Sequence, residues 1–441
     1  MWSPNYQFYK RLTAEIRSRS SVPIIVGGVL PTLRPDLFIP GTACDVVFRG
    51  EAEPIIEDLV TAAIAGDYSA LPNVVTLGAD GQPVSTAMNS YVGDLDELPF
   101  RDHDLYPNNS DSLYVLSSRG CVMKCTYCSA GIFSRIAVGS GGKLVRKRSP
   151  RAVVDEIKAE VDKGKYKEIF FYDDFFITNK KWMSEFSGIY RKEIGLPYYC
   201  IAFPATVNAD IAAILAESGC RCVLMGFQTA NDEYKKRVLQ RNEPAKNVVR
   251  AIEALRSHGI RVSVDHIFNF PGETLADIEL SMNFYIDNKI DSLMLFFLNY
   301  YPDSGITRWA YENNYLSPEQ FELINRNELV GEQSYRGTVV DPVASERQVQ
   351  WAVLFRLINL LPGPVVKWLF HPKIYRFFPT NRTFYYALSG VAMIRGMGLK
   401  ALFNTLFLAF GFGGQRLRNI FLRVETKNSF APQVMTISPG E

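Results

Sequence analysis

The chain has 441 residues, of which 47% are hydrophobic and 21% charged. This composition excludes an intrinsically disordered protein and predicts a folded chain of more than one domain. The formal net charge of +2 excludes a strongly basic nucleic-acid-binding protein. An odd count of seven cysteines, together with a start at MWSPNYQFYKR that lacks an apolar leader, predicts a cytoplasmic chain without a disulfide framework. No uncharged apolar run reaches the roughly 18 residues expected of a transmembrane helix.

The N-terminal region alternates helical and strand-like segments. The apolar run at 22–26 predicts a buried strand that ends at Gly27-Gly28, and 45–48 predicts a second strand before a helix at 53–65. Two strands are too few for a stable doubly wound sheet. Either the domain begins upstream of this sequence, or these strands join another sheet.

From residue 113 onward, strand-like and helical segments alternate regularly. Six apolar runs predict strands at 113–118, 168–173, 198–203, 221–227, 261–268 and 291–298. Helical spacing predicts intervening helices at 150–163, 180–193, 207–218, 244–258 and 275–287. Six β/α units predict a parallel sheet with right-handed crossovers. Because a closed barrel needs eight such units, we expect an open partial barrel.

The C-terminal region differs in composition from the rest of the chain. Residues 345–425 are aromatic and predict helices, and from Ser345 to the end twelve Lys and Arg residues stand against three acidic residues. Two interpretations stay open. The helices could cap the barrel and shape a substrate pocket, or they could form an interfacial module that meets an anionic membrane surface.

The strongest chemical signal is a CxxxCxxC sequence, formed by Cys121, Cys125 and Cys128 just after the first predicted barrel strand. Thiolates are the usual ligands of Fe–S clusters, and three protein ligands on a four-iron cluster leave one iron open to a small molecule. Structural zinc is the alternative, but zinc requires four closed ligands, and no His lies near the triplet. The remaining cysteines are interpreted as buried free thiols: Cys44, Cys200, Cys220 and Cys222.

Because they contain this cysteine loop, residues 113–308 resemble the radical S-adenosylmethionine (SAM) superfamily, and specifically its cobalamin-associated branch. The family's cluster loop, CxxxCx-aromatic-C, is matched by the three cysteines together with Tyr127. The resemblance implies that these cysteines hold a 4Fe–4S cluster whose fourth iron binds the amino and carboxylate groups of SAM. It also implies reductive cleavage of SAM to methionine and a 5′-deoxyadenosyl radical.

Further segments resemble the family in the expected order. FFYDDFFIT, after the second barrel strand, implies that Asp173 or Asp174 lies near the SAM ammonium, where a carboxylate makes a charge-assisted hydrogen bond. The alternative is an N-terminal cap for the helix near Asn179. In the segment 225–241, Gln228 stands where the family has a Glu at the SAM ribose. Arg241 matches an Arg that holds the SAM carboxylate, and the alternative for it is a surface salt bridge.

The segment DHIFNFPGET resembles the family's fifth strand, which approaches the adenine. Asp265 and Asn269 replace its two glycines, and Pro271 is retained. YYPDSGIT, at 300–307, resembles the turn after the sixth strand. His266 is interpreted as a packed strand histidine, with a side chain in the barrel lumen as the alternative.

The N-terminal region resembles the last two strands of a cobalamin-binding domain, in IIVGGVLPT (24–32) and DVVFRGEAE (45–53). The resemblance implies that Gly27 and Gly28 line the groove for the nucleotide tail of cobalamin. The first strands of such a domain and its DxHxxG motif are absent from this sequence. We therefore expect a truncated sequence, with loss of cobalamin binding as the alternative.

Together these observations predict an α/β chain with a partial (β/α)6 radical SAM barrel after a remnant of a Rossmann-like cobalamin-binding domain, followed by a mostly helical region. The predicted domains are the half cobalamin-binding domain at 1–75, the linker at 76–112 and the barrel at 113–308. The basic aromatic helical region at 309–425 and a disordered tail at 426–441 follow.

The predicted function is that of a radical SAM enzyme, and in this branch a cobalamin-dependent methyltransferase acting on an unactivated carbon of a small or lipophilic substrate. An anaerobic oxidative cyclase and a non-catalytic Fe–S or metal-binding protein are the alternatives. The prediction includes a reducing partner such as flavodoxin or ferredoxin and no nucleic acid. It places the chain in the cytoplasm, with peripheral contact to the inner face of the membrane through the C-terminal region left open.

Overall fold

The computed structural model describes residues 6–89, 91–105, 111–331 and 335–397, with side chains described as far as residue 392. Within these ranges the chain forms a small N-terminal sheet, a six-stranded sheet and a C-terminal group of helices. No helix in the described ranges has both the length and the apolar character needed to cross a membrane. The predicted tail at 426–441, and the predicted helical region beyond residue 397, lie outside the described residues.

The N-terminal sheet combines the two predicted strands with a hairpin. Its elements are α1 (Tyr6–Arg19), β1 (Ile25–Val26), α2 (Val29–Leu33), β2 (Val46–Phe48), α3 (Ile56–Ala65), β3 (Val74–Leu77) and β4 (Pro83–Ser85). β1 and β2 are parallel, and β3 and β4 add to β2 in antiparallel fashion, so the sheet order is β1-β2-β3-β4. The hairpin thus supplies the sheet partners that two strands alone would lack.

The central sheet is the predicted partial barrel. Its elements are β5 (Ser112–Val115), β6 (Ser118–Arg119), α4 (Ala130–Gly139), β7 (Arg146–Lys147), α5 (Pro150–Val161), β8 (Glu168–Phe171), α6 (Lys180–Glu193), β9 (Tyr198–Ala202), α7 (Ala209–Glu217), β10 (Cys220–Gln228), α8 (Asp232–Arg237), α9 (Ala245–Arg256), β11 (Arg261–Phe268), α10 (Leu275–Asp287) and β12 (Ser292–Phe297). The strands pair in the order β5-β8-β9-β10-β11-β12, and every pair is parallel. The sheet curls into a half-barrel, which confirms the predicted fold class.

Helix ends in the barrel follow from short-range capping. The Ser149 side chain accepts from the Ala152 amide at the start of α5, and Asn179 accepts from Trp182 at the start of α6. Thr274 and Asp277 form a capping box that begins α10. Because these signals are local, the predicted helix starts lie within a few residues of the observed ones.

Strand alternation gives the central sheet two different faces. On β11, Val262, Val264, His266 and Phe268 are fully buried against the helices, whereas the residues that alternate with them point to the concave face. We call the space on that concave face the lumen. The carboxyl ends of all six parallel strands meet at one rim of the lumen, which is where α/β barrels carry their functional side chains.

The described part of the C-terminal region covers the outer strand β12. Its helices are α11 (Gly305–Glu312), α12 (Pro318–Asn325), α13 (Pro342–Leu357), α14 (Gly363–Leu369), α15 (Pro372–Tyr375) and α16 (Arg382–Met397). α13 is buried between β12 and α16, and its Arg356 donates to the Leu293 carbonyl at 2.8 Å. This half of the region therefore packs on the barrel wall as core, which agrees with the cap interpretation.

Candidate active site

The cysteine triplet lies in the loop between β6 and α4, at the rim of the lumen. Gly120, which precedes Cys121, has φ +95°, and a Cβ there would lie 2.0 Å from the Leu144 carbonyl oxygen, so only glycine fits. The Cys121 amide donates to Ser134 Oγ at 2.7 Å. Thr126 ties the loop to the chain after α8, because its amide donates to the Leu239 carbonyl at 3.0 Å. The loop is therefore fixed at both ends and in the middle.

The three thiols are partly or fully withdrawn from solvent. Cys125 is buried, and Cys121 and Cys128 are half-buried. Burial raises the pKa of Cys121, and it raises the pKa of Cys128 to about 11, with the neighbouring thiols and Asp174 adding to the shift. Metal binding at these thiols would therefore release protons. Among the described residues, no three His, Cys, Asp or Glu side chains are gathered as a metal site.

Arg241 joins the cysteine loop to the fourth barrel strand. Its guanidinium is only 7% exposed, which excludes the surface salt bridge considered above. Nη1 lies 3.7 Å from Cys125 Sγ, Nη2 donates to the Gly226 carbonyl at 2.6 Å, and the guanidinium carbon lies 5.0 Å from the centre of the Phe203 ring. Nε is buried without a hydrogen-bond partner. A buried cation with a spare donor at the rim is suited to an anionic ligand.

Gln228 and Asn269 lie at the carboxyl ends of β10 and β11. Both have left-handed backbones, with φ 66° and φ 73°. The glycine that the resemblance leads one to expect at 269 is thus replaced by asparagine, one of the few other residues that adopt this conformation readily. Gln228 Oε1 is buried without a partner, and a Cβ on Gly226 would lie 2.7 Å from Gln228 Nε2. Gly226 therefore leaves room for this amide.

The two adjacent aspartates after β8 have different roles. Asp173 is fully buried, and its Oδ1 accepts from the Ser117 amide at 3.0 Å, from Ser117 Oγ at 2.8 Å and from Ser118 Oγ. Asp173 thus anchors the strand that leads into the cysteine loop. Asp174 is exposed at the rim, and partial desolvation with its neighbour Asp173 raises its pKa. Neither caps α6, because Asn179 does so.

Two of the remaining predicted residues pack behind the cysteine loop. The Pro271 carbonyl accepts from Tyr234 Oη at 2.7 Å. Tyr127 and Tyr234 both contact the Phe270 ring, with centroids 5.9 and 6.0 Å away. These contacts hold the turn after β11 against the aromatic residue of the cysteine loop.

Asp265 and His266 point to opposite faces of β11. His266 is fully buried, with Nδ1 3.0 Å from Tyr285 Oη, and its ring lies against Phe268 and Phe355. The interpretation of His266 as a packed histidine agrees with these contacts. Asp265 faces the lumen, and its Oδ1 is buried without a partner. Burial raises the pKa of Asp265 to about 7, and the nearby Arg241 opposes the shift.

The N-terminal sheet meets the barrel at this same rim. Gly28, with φ +104°, begins α2, and Val29, Leu30 and Leu33 line a cleft together with Tyr127 and Cys128. Gly27 lies beside β2, where a Cβ would be 3.6 Å from the Phe48 carbonyl oxygen. The predicted cobalamin-groove segment thus lies over the cysteine loop.

A group of ion pairs, which sequence reasoning missed, ties the segment after β2 to the antiparallel pair of short strands β6 and β7. Arg146 makes a bidentate pair with Glu51, with both N–O distances 2.7 Å, and Arg119 pairs with Glu53 at 2.6 Å. Both glutamates belong to the segment RGEAE after β2, and Arg119 lies two residues before Cys121. A cavity of about 230 Å³ lies beside these ion pairs and reaches Asp174.

Comparison with known proteins agrees with this geometry. Residues 115–285 match the model of the radical SAM superfamily. This segment of the chain is a radical SAM domain. Members use a 4Fe–4S cluster and SAM, and they depend on a reductant. An uncharacterized methyltransferase of Pyrococcus horikoshii is 26% identical over 306 residues, covering 67% of this chain and 64% of that relative.

Two solved structures resemble the fold. The radical SAM methyltransferase TsrM of Kitasatospora setae, solved with tryptophan and a SAM analog, has a TM-score of 0.57 at 18% identity and covers 70% of this chain and 61% of that chain. OxsB, a cobalamin-dependent SAM radical enzyme solved with aqua-cobalamin and SAM, has a TM-score of 0.55 at 14% identity and covers 95% of this chain and 65% of that chain. The chain thus spans under two thirds of the length of these relatives.

Proposed function

We propose that this chain is a radical SAM enzyme that methylates an unactivated carbon with the help of cobalamin. The observation that carries the proposal is the set of buried, unpartnered polar atoms at the lumen rim beside the cysteine loop: Arg241 Nε, Gln228 Oε1 and Asp265 Oδ1. Unsatisfied buried polar groups are costly, so their gathering at one rim indicates a polar ligand. The three thiols beside them are the donor set that an Fe–S cluster requires.

Different residues of the chain would bind the cluster, the carboxylate of SAM and the ammonium of SAM. Cys121, Cys125 and Cys128 would hold the cluster, which when bound supplies the electron that cleaves SAM. Arg241, with a spare donor beside Cys125, would pair with the SAM carboxylate. Asp174 would accept from the ammonium, because it is exposed at the rim, whereas Asp173 is buried and its Oδ1 is engaged by Ser117 and Ser118.

The adenosine half of SAM would lie along the ends of β10 and β11. Gln228 would bond to the ribose, and the left-handed backbone at Asn269, held by its Nδ2 donating to the Thr338 carbonyl at 3.2 Å, would lie beside the adenine. Pro271 and Tyr127 would hold this wall in place through Phe270.

Cobalamin would lie between the N-terminal sheet and the barrel rim. The cleft under α2 and the 230 Å³ cavity both lie there, and Gly28, with φ +104°, comes directly before α2. The proposed domain limits lie at residues 75, 112, 308 and 425.

The test is anaerobic reconstitution followed by SAM cleavage. Wild type should bind about four irons per chain and release 5′-deoxyadenosine with dithionite and SAM. Cys125→Ala should lose both, whereas Cys200→Ala, which removes a buried thiol on β9, should keep both. Failure of wild type with an intact cluster to form 5′-deoxyadenosine would refute the enzyme proposal. Cobalamin binding is tested separately, by retention of its visible absorbance on gel filtration.

We also propose that a flavodoxin or ferredoxin supplies the electron.

We further propose that the C-terminal helices make peripheral contact with a membrane. Trp368 is 64% exposed and Phe377 74% exposed, close in sequence to Lys367 and Lys373. The membrane proposal predicts co-sedimentation with anionic liposomes at low salt that is lost at high salt. Absence of sedimentation at low salt would contradict it.

A further inference from the structure

Aromatic side chains line the lumen on its first three strands. Tyr114, Phe170 and Tyr199 stand at one level on β5, β8 and β9, since Tyr114 pairs with Phe170 and Phe170 with Tyr199 in the strand register. The ring centroids are 5.7 and 6.1 Å apart, and the Phe170 and Tyr199 planes differ by only 11°. Tyr172 extends the group toward the rim, 5.5 Å from Phe170. We call these four residues the aromatic row.

The aromatic row is not part of the hydrophobic core. The strand neighbours that point the other way, Val115, Phe171 and Cys200, are at most 1% exposed and pack under the helices. The row residues are instead half-buried, and Tyr172 is 59% exposed. Large rings left open on a concave wall are typical of a binding surface for an apolar or aromatic ligand.

A polar group faces the same space from β11. Asp265 stands beside Gly226 in the strand register, and the Gln228 amide and the Arg241 guanidinium fill the space where a Cβ of Gly226 would lie. Asp265 Oδ1 is buried without a hydrogen bond among the described residues. Asp265 alternates along β11 with the fully buried Val264 and His266, so its side chain lies on the same lumen face of the sheet as the aromatic row.

We propose that the lumen binds a substrate with a flat aromatic or conjugated ring and an N–H or O–H donor at its edge. The ring would contact the aromatic row, and the donor would bond to Asp265. Each ring contact adds affinity, and a ligand without a donor would leave the buried Asp265 oxygen without a hydrogen bond. The inference rests on the proposed function and names the substrate class of the same site.

The experiment uses the full chain with its cluster reconstituted and SAM present without reductant. Three probes are titrated by ligand-observed NMR: indole, which is flat with an N–H donor; 1-methylindole, which is flat without one; and cyclohexanol, which is not flat. Indole should bind more tightly than 1-methylindole, and cyclohexanol most weakly. Phe170→Leu and Tyr172→Leu should weaken both indoles by about fivefold. Phe8→Leu, at a 50% exposed site on α1, should change neither.

Asp265→Leu tests the polar half of the inference, and it replaces an unsatisfied carboxyl by an apolar group that the fold should tolerate. It should weaken indole by about fivefold and leave 1-methylindole unchanged. Equal affinity for cyclohexanol and indole, or indole binding untouched by Phe170→Leu, would overturn the inference. 5′-Deoxyadenosine formation without substrate is measured on the same samples. If wild type forms none while the probe results hold, the proposed function fails and the inferred binding class stands.

Discussion

Protonation of His266 should govern part of the stability of the barrel in mild acid. The imidazole is fully buried, Nδ1 lies 3.0 Å from Tyr285 Oη and Nε2 has no partner. Burial lowers the pKa of His266 from 6.5 to about 3. The native state therefore keeps the ring neutral, whereas the unfolded chain binds a proton once the pH falls below about 6.5. The free energy of unfolding must fall with the pH between about 6.5 and 3.

The size of the effect follows from the two pKa values. At pH 5 the unfolded histidine is almost fully protonated and the native one almost neutral, which corresponds to about 2 kcal/mol lost relative to pH 8. Near pH 3, where the native ring is half protonated, the loss is about 4 kcal/mol. His266→Phe should remove this pH dependence. The substitution also removes the hydrogen-bond partner of Tyr285 Oη, which lowers the free energy of unfolding by a constant amount at every pH.

The assay is urea unfolding of the cluster-free chain at pH 8 and pH 5. Asp265, whose raised pKa acts in the opposite direction, is present in both proteins and cancels in the difference between them. The loss between pH 8 and pH 5 should be about 2 kcal/mol smaller in His266→Phe than in wild type. His258→Phe, at an exposed histidine, should behave as wild type does. An equal loss in wild type and His266→Phe would refute the view that burial keeps this ring neutral.

Three further substitutions test the architecture of the site. Glu51→Gln should lower the free energy of unfolding by about 3 kcal/mol, because it leaves the buried Arg146 without its charge partner. Urea unfolding measures this loss, with Glu53→Gln as the control. A smaller loss of free energy in Glu51→Gln than in Glu53→Gln would contradict the prediction. Asp173→Asn should destabilise the strand before the cysteine loop and lower the iron bound on reconstitution, and unchanged iron content would speak against this anchor. Asn269→Ala and Asn269→Gly both lose the hydrogen bond to the Thr338 carbonyl, but only alanine is strained at φ 73°. Asn269→Ala should therefore be about 1 kcal/mol less stable than Asn269→Gly in thermal unfolding, and equal melting points would argue against the left-handed backbone.

Some features of this protein are fixed by sequence signals that act over a few residues. Apolar runs and helical spacing predicted the six parallel strands and the five helices between them. Ser149-Pro150 marked a helix start because the cap and the fixed proline φ act within one turn. The cysteine spacing predicted a cluster loop, because thiol chemistry depends on residue type more than on fold. α4 was missed, although the triplet leads directly into it.

Other features depend on contacts between residues far apart in the chain, and only the tertiary structure decided them. The sequence could not show that Asp173 is buried and Asp174 exposed, because this depends on which carboxylate meets Ser117, 56 residues from Asp173. The partners of Arg241 and the ion pairs of Glu51 are likewise long-range. The direction of each strand side chain, His266 outward and Asp265 inward, depends on which face the helices cover. Composition and spacing specify local conformation and the reactive groups present, whereas burial and pairing arise only when distant segments exclude water together.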